Sequence, residues 1–221
     1  MLAVLLAAVT VSGAFQLKAS TPRGDVYVLA EAPNLRVDPK RCDIFLESVE
    51  RRLGARAPRY TYYRVRDVQD ITYHAGEYAR GVTKALTGEV WSIEACQKHE
   101  MVHLVTHQLG HPGRFWNEGL ATALGDSFNE SDGKKLARKT GSQFSVWVRL
   151  FSWWVSDGAR NDEAVQRYKM AGSFMRYLIA RHGMAKVVEY FRACRIPDKD
   201  GTVFKRIFGR SVQEEGESWF R

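Results

Sequence analysis

Cysteine is scarce in this chain, and the three present, Cys42, Cys96 and Cys194, follow no thiolate zinc pattern, so a closed structural zinc knuckle is excluded. The odd number leaves at least one thiol without a partner in the same chain, although cysteine usage of this kind is compatible with an oxidising compartment. Cys42 and Cys96 both fall near the starts of expected helices that pack on one sheet; a disulfide between them and two buried free thiols are both open. Long apolar runs are missing after Leu17, so nothing downstream is expected to span a membrane. Internal repeats and low-complexity tracts are missing too, and the basic residues carry no nucleic-acid recognition motif, so no nucleic acid is expected as a partner. Disorder is excluded by a composition that is 45% hydrophobic and 12% aromatic, enough in 221 residues to bury a sizeable core.

Acidic residues are in deficit: 33 Lys and Arg stand against 25 Asp and Glu, a formal net charge of +8. Nine of the cations, against four acids, lie between Arg36 and Arg66. That bias favours acidic partners or surfaces, with a solvated basic face as the plainer alternative. Met1 to Leu17 carries no charge, is rich in Leu, Ala and Val, and ends near the small residues Ser12-Gly13-Ala14. Residues 1–19 are therefore expected to be a signal peptide and the protein exported, to the periplasm or the extracellular space. A basic start is lacking and the apolar length approaches a membrane span, so an uncleaved N-terminal anchor stays open.

Residues 24–221 are expected to form one domain, a sheet lobe over 24–126 and a helical lobe over 127–221. Asp25 to Ala30 and Tyr60 to Val65 have the β-branched and aromatic content of strands, and Gly81-Val82-Thr83 and Glu89 to Ile93 add one or two more. Asp38 caps an expected helix in which Ile44, Phe45, Val49 and Leu53 recur at helical spacing before Gly54. Another helix is expected from about Glu94 to Leu109, stopped by Gly110 and Pro112, and a further one starts near Asn117. Ser127 to Gly133 reads as a loop bordering a cleft. From Ser142 onward the pattern is helical. Phe144, Trp147, Val148, Phe151, Trp154 and Val155 share one face, widened by Val146, Leu150 and Trp153; a second helix follows from Asp162 to Arg181, and two shorter ones finish the chain.

The chemistry is concentrated in Lys98-His99-Glu100-Met101-Val102-His103 and in Trp116-Asn117-Glu118-Gly119-Leu120-Ala121. At about 100° and 1.5 Å per residue, His99 and His103 stand one turn apart on the same helix face, so two imidazoles can share one zinc ion. Glu100 lies one step round the helix, where a carboxylate reaches a metal-bound water as general base without being a ligand. Glu118 supplies a carboxylate from a second segment, and three protein ligands leave a fourth position open, as catalytic zinc requires.

This pair of motifs resembles the gluzincin metallopeptidases, and most closely the short bacterial peptidase MA-like domains. Tyr168, the Ser173-Phe174-Met175-Arg176-Tyr177-Leu178 stretch, Phe208-Gly209 and Trp219 follow the order of that group's tail, so the resemblance covers roughly residues 90 to 221. It implies an α+β fold: a small N-terminal mixed sheet with the metal-binding helix, then a helical C-terminal lobe, with the cleft between them. It also implies zinc-dependent hydrolysis of a peptide or protein substrate. The resemblance further places the oxyanion donor at Tyr168, assigns Asn117 to steadying a ligand histidine, and makes Val90 to Ile93 the edge strand that pairs with substrate. Where the family often has an acid four residues after the ligand Glu, this chain has Thr122. The partner of His99 is thus unidentified, with Asp126 a poor substitute.

Other histidines are weighed against these. His107 lies eight residues from His99, about 12 Å along a straight helix axis, too far for zinc–nitrogen bonds of about 2 Å. His111 fails the third-histidine metzincin pattern, because Thr106 and Leu109 stand where Gly and His belong. His74 and His182 have no motif behind them. No segment resembles a clasp for a free α-amine, which favours an endopeptidase. From a different class, an exported envelope scaffold that keeps the ligands without turnover is the alternative, although it has no chemical need for Glu100.

Overall fold

The computed structural model describes residues 13–156 and 162–221. Its fold is the expected α+β arrangement, a five-stranded mixed sheet at the N-terminal end followed by a helical C-terminal part. The sheet comprises β1 (Phe15–Ser20), β2 (Gly24–Leu29), β3 (Tyr60–Arg64), β4 (Gly81–Lys84) and β5 (Glu89–Ser92) in the order β1-β2-β3-β5-β4. β2, β3 and β5 run parallel, and β1 and β4 pair antiparallel at the two edges. The outer strand beside the site is therefore β4, and β5, which the resemblance makes the edge strand, is an inner strand. Its burial explains the placement: Val90, Trp91 and Ser92 are all buried, as a strand flanked on both sides requires.

β1 overlaps the last part of the segment expected as leader or anchor, and cleavage after Ala14 would leave it intact. Residues 1–12, most of that segment, lie outside the described residues. Among the described residues no helix is long and apolar enough to cross a membrane.

α1 (Pro39–Leu53) forms as its end signals demand. The Asp38 side chain accepts from Arg41 N, Pro39 opens the helix, and Gly54 closes it in the left-handed conformation at φ 58°. α1 packs with α3 (Lys98–Thr106) on one sheet face. The other face holds a smaller cluster of Leu29, Tyr63, Val65, Ile71, Val82 and Trp91 under α2 (Val68–Ala75), a helix the periodicity does not reveal. His74 belongs to this cluster, stacked at 6.1 Å on Trp91.

α3 is shorter than expected at both ends. Residues 93–97 stay in a loop because tertiary groups bind their backbone: the Tyr62 hydroxyl donates to Glu94 O and accepts from Gln97 N, and Ser92 Oγ accepts from Glu94 N. The Cys42–Cys96 disulfide, one of the two states the sequence leaves open, ties this loop to α1 across a Cα separation of 5.6 Å. Cys194 is free and buried, and burial pushes its thiol pKa up to about 11.

The helical part comprises α4 (Arg114–Gly125), α5 (Glu130–Thr140), α6 (Phe144–Ser156), α7 (Asp162–His182), α8 (Met184–Ala193), α9 (Thr202–Phe208) and α10 (Val212–Phe220). Three short helices rather than two thus end the chain. The stretch read as a loop from Ser127 ends at Asn129, whose side chain caps α5 by accepting from Ser131 N. Phe144 and Phe151 of α6 are buried with Trp147 and Val148 packed beside them; the side chains of Trp153, Trp154 and Val155 lie outside the described residues. α7 lies close against α4 because small residues meet there. A Cβ on Gly119 would come within 2.9 Å of Ala171 O, and one on Gly172 within 2.5 Å of Thr122. One core cluster runs from Val26 and Tyr62 in the sheet through α4 and α7 to Phe220.

Candidate metal centre

α3 and α4 together place the expected ligands. His99 and His103 stand one turn apart on α3, with ring centroids 5.0 Å apart, and Glu118 projects from α4 between them. Glu118 Oε2 is 3.1 Å from His99 Nε2 and 3.4 Å from His103 Nε2. One donor atom from each residue falls within 4.8 Å of the others, and among the described residues this trio is the group that converges closely enough to hold a metal ion. Two imidazole nitrogens and one carboxylate oxygen on one side of a point are a donor set that suits zinc. Their side chains are 12%, 18% and 15% exposed, low enough to strengthen electrostatics and still reachable from the cleft.

The first histidine has a partner after all. Asp126 Oδ2 lies 2.9 Å from His99 Nδ1, which fixes the ring and turns Nε2 toward Glu118. Spacing alone counts against Asp126, which is eight residues beyond Glu118, but α4 ends at Gly125 and the chain turns back over α3. A Cβ on Gly125 would meet His99 N at 2.7 Å, so the absence of a side chain permits that approach. Thr122, where the family acid is expected, is buried against Gly172 of α7 and has no room for a longer side chain.

These contacts set the charges. Burial pulls the His99 imidazolium down, but Asp126 and Glu118 outweigh it and hold its pKa well above the usual histidine range. Burial raises the Glu118 carboxyl, and the two histidines more than reverse this, leaving it far below the ordinary carboxylate range.

Glu100 is buried on the neighbouring face of α3, and its position is fixed by a residue the motif does not contain. Thr83 Oγ1 on β4 donates to Glu100 Oε2 at 2.8 Å and lies 3.0 Å from its main-chain oxygen. The hydroxyl thus leaves Oε1 as the carboxylate's freer oxygen. Thr83 is visible in the sequence only as part of a strand, because its role depends on β4 lying against α3.

Tyr168 of α7 reaches the same place, its ring centroid 6.0 Å from that of His99. Burial first, and then the Glu118 charge, push its phenol well above the ordinary tyrosine value, so it is a protonated donor at neutral pH. The Arg114 guanidinium acts on it in the opposite sense without reversing the shift, and Arg114 Nε lies 3.7 Å from Glu118 Oε1. Arg114 is a second residue that the motif does not announce. It sits one turn before Glu118 on α4, and so faces the same way.

Asn117 does not steady a ligand histidine. Its amide nitrogen is 2.9 Å from His111 Nδ1, in the loop that joins α3 to α4. His107 is exposed at the end of α3, and His182 is in the helical part with Nε2 3.3 Å from the buried Glu215. Neither joins the trio.

The site opens into a cleft of about 1700 Å³ whose lining includes Gly81, Val82 and Thr83 of β4, the trio, Tyr168 of α7 and Lys205 of α9. No family model, curated protein or solved structure matches the chain.

Proposed function

We propose that this protein is a zinc-dependent peptidase of the gluzincin type, with His99, His103 and Glu118 as the zinc ligands and Glu100 as the general base. The observation that carries this reading is the convergence of the three donor atoms within 4.8 Å beside a buried, hydroxyl-anchored Glu100. Zinc bound there would supply Lewis acidity toward a carbonyl oxygen and acidify a water molecule.

The chain's own groups do the rest. Asp126 holds the His99 ring by Nδ1 and leaves Nε2 directed at the ligand position. Thr83 occupies Glu100 Oε2, so Oε1 takes the proton from the attacking water and then passes it to the leaving amine. Tyr168 donates its phenol proton in a hydrogen bond to the scissile carbonyl oxygen as negative charge grows on it. The substrate strand would pair with β4, the outer strand whose residues line the cleft, and not with β5. A cleft that continues into the helical part favours an extended peptide and endopeptidase action. Export, with or without retention of the N-terminal anchor, is part of the same proposal and rests on the sequence of residues 1–19.

The test combines metal analysis with hydrolysis of a peptide library. About one zinc per chain is expected, lost in His103→Ala and kept in His107→Ala and His111→Ala. Glu100→Gln should keep metal and fold while hydrolysis falls by about 10²–10⁴-fold. Zinc bound without turnover in either protein would instead favour the scaffold reading.

A further inference from the structure

The net positive charge is not confined to the basic stretch of the N-terminal half. Arg149 of α6, Lys199 in the loop before α9, and Lys205 and Arg206 of α9 all line the cleft, and all are exposed. Three of them, Lys199, Lys205 and Arg206, come from one stretch of eight residues, and Arg149 joins the cleft lining from α6. Among the described residues none of the four has a carboxylate within ion-pair distance.

The two acids in the same arm are already committed to the chain. Asp198 accepts from Val203 N at 3.2 Å, from Phe204 N at 2.8 Å and from the Tyr190 hydroxyl at 3.3 Å. Asp200 accepts from Thr202 N at 3.1 Å. At the sheet end the situation is reversed, since Arg80 lies 3.6 Å from Glu94. Arg114, beside the trio, is paired with Glu118, its Nε 3.7 Å from Oε1. Hydrogen bonds to neutral groups leave the two carboxylates charged, so the four cations of α6 and of residues 199–206 outnumber Asp198 and Asp200 by two, a positive excess on this part of the cleft lining. Like charges held together on a concave wall repel one another and focus a positive potential, which an anionic ligand relieves.

We infer that this arm is a subsite for acidic peptide, recognising Asp or Glu side chains on one side of the scissile bond, with Lys205 and Arg206 of α9 as its main determinants. The inference rests on the peptidase reading for its peptide ligand. A peptide is favoured over another polyanion because the arm is continuous with the cleft along which β4 offers a free strand edge.

The test uses zinc-loaded full-length protein carrying Glu100→Gln, and fluorescein-labelled peptides rich in Asp and Glu beside their Asn and Gln isosteres. The acidic peptide should bind roughly tenfold tighter at about 50 mM salt, as several screened surface pairs together allow, and lose most of that advantage at about 300 mM. Lys205→Gln/Arg206→Gln should remove most of the advantage and leave affinity for the neutral peptide unchanged. Equal affinities for the two peptides, or an acidic preference that survives the double substitution, would overturn the subsite. So would tighter binding of a sulfated oligosaccharide of matched charge, which would make the arm a general polyanion site. Hydrolysis by the unsubstituted protein separates the two levels. Cleavage of both peptides with equal kcat/KM keeps the peptidase and removes the subsite; acidic binding that depends on Lys205 and Arg206 without any cleavage keeps the subsite and removes the peptidase.

Discussion

Tyr168 lies at the meeting of two roles, since its ring packs near His99 and Phe151 while its phenol feels the charges of Glu118 and Arg114. Replacement by Phe separates them, because it keeps the ring and removes one donor. If the phenol stabilises the developing oxyanion, Tyr168→Phe lowers kcat by about 10²–10³-fold with little change in KM. If the residue only packs, kcat is retained and stability shifts by about 1 kcal/mol. Measuring kcat and melting temperature on one preparation decides between them. Asp126 calls for a different measurement, as it touches His99 and not the substrate. Asp126→Asn keeps the shape and removes the charge that holds Nδ1, so zinc affinity should fall by about 10–100-fold. Competition against a chelating dye reads this directly, and an unchanged affinity would mean that Asp126 does not orient the ligand. Both residues show the limit of motif spacing. His99, Glu100 and His103 can be read from the chain because helix geometry fixes where i and i+4 point, and Glu118 through the resemblance of its segment to the second gluzincin motif. Asp126, Thr83 and Arg114 cannot, because their contacts depend on how α4 and β4 approach α3.

At the scale of elements, the start of α3 is held from outside the helix. Gln97 makes no side-chain cap, and the segment before it is instead secured by the Tyr62 hydroxyl, by Ser92 and by the Cys42–Cys96 disulfide. A bond closing 54 residues of sequence restricts the unfolded chain by about 4 kcal/mol in the chain-entropy description. Reduction, or Cys42→Ser/Cys96→Ser, should therefore lower the unfolding free energy in urea by about that amount. Cys194→Ser tests the third cysteine by itself: with no bond to lose, it should leave no response to reductant beyond that of the parent protein. The α4 and α7 contact is the other decisive one. Gly119, Ala171 and Gly172 let the two helices approach, which brings Tyr168 beside Glu118. The small residues beside Tyr168 on α7, Ala171 and Gly172, permit that close approach, but nothing local says that the partner is α4.

For the whole molecule, the three expected ligands come from two helices, so a zinc ion bound there would join α3 to α4. At a free zinc concentration about 100 times the dissociation constant, the native state should gain about 2.7 kcal/mol. For a domain of this size that corresponds to a rise in Tm of roughly 5–10 °C. Removal by chelator should reverse it, and His103→Ala should abolish it; a Tm that does not respond to zinc would exclude the trio as a metal centre. The sequence by itself determined the α+β class, the limits of α1, the helical spacing of His99 and His103, and the reactive residue types, because periodicity, caps and i,i+4 geometry are local properties. Only the tertiary structure decided that β4 and not β5 forms the outer strand, that Asp126 reaches His99, that Thr83 holds Glu100, and that Arg149 of α6 lines the same cleft as Lys199, Lys205 and Arg206. Those outcomes depend on which elements pack together, and packing is settled by long-range burial and by the few positions, such as Gly125 and Gly172, where a missing side chain lets two backbones meet.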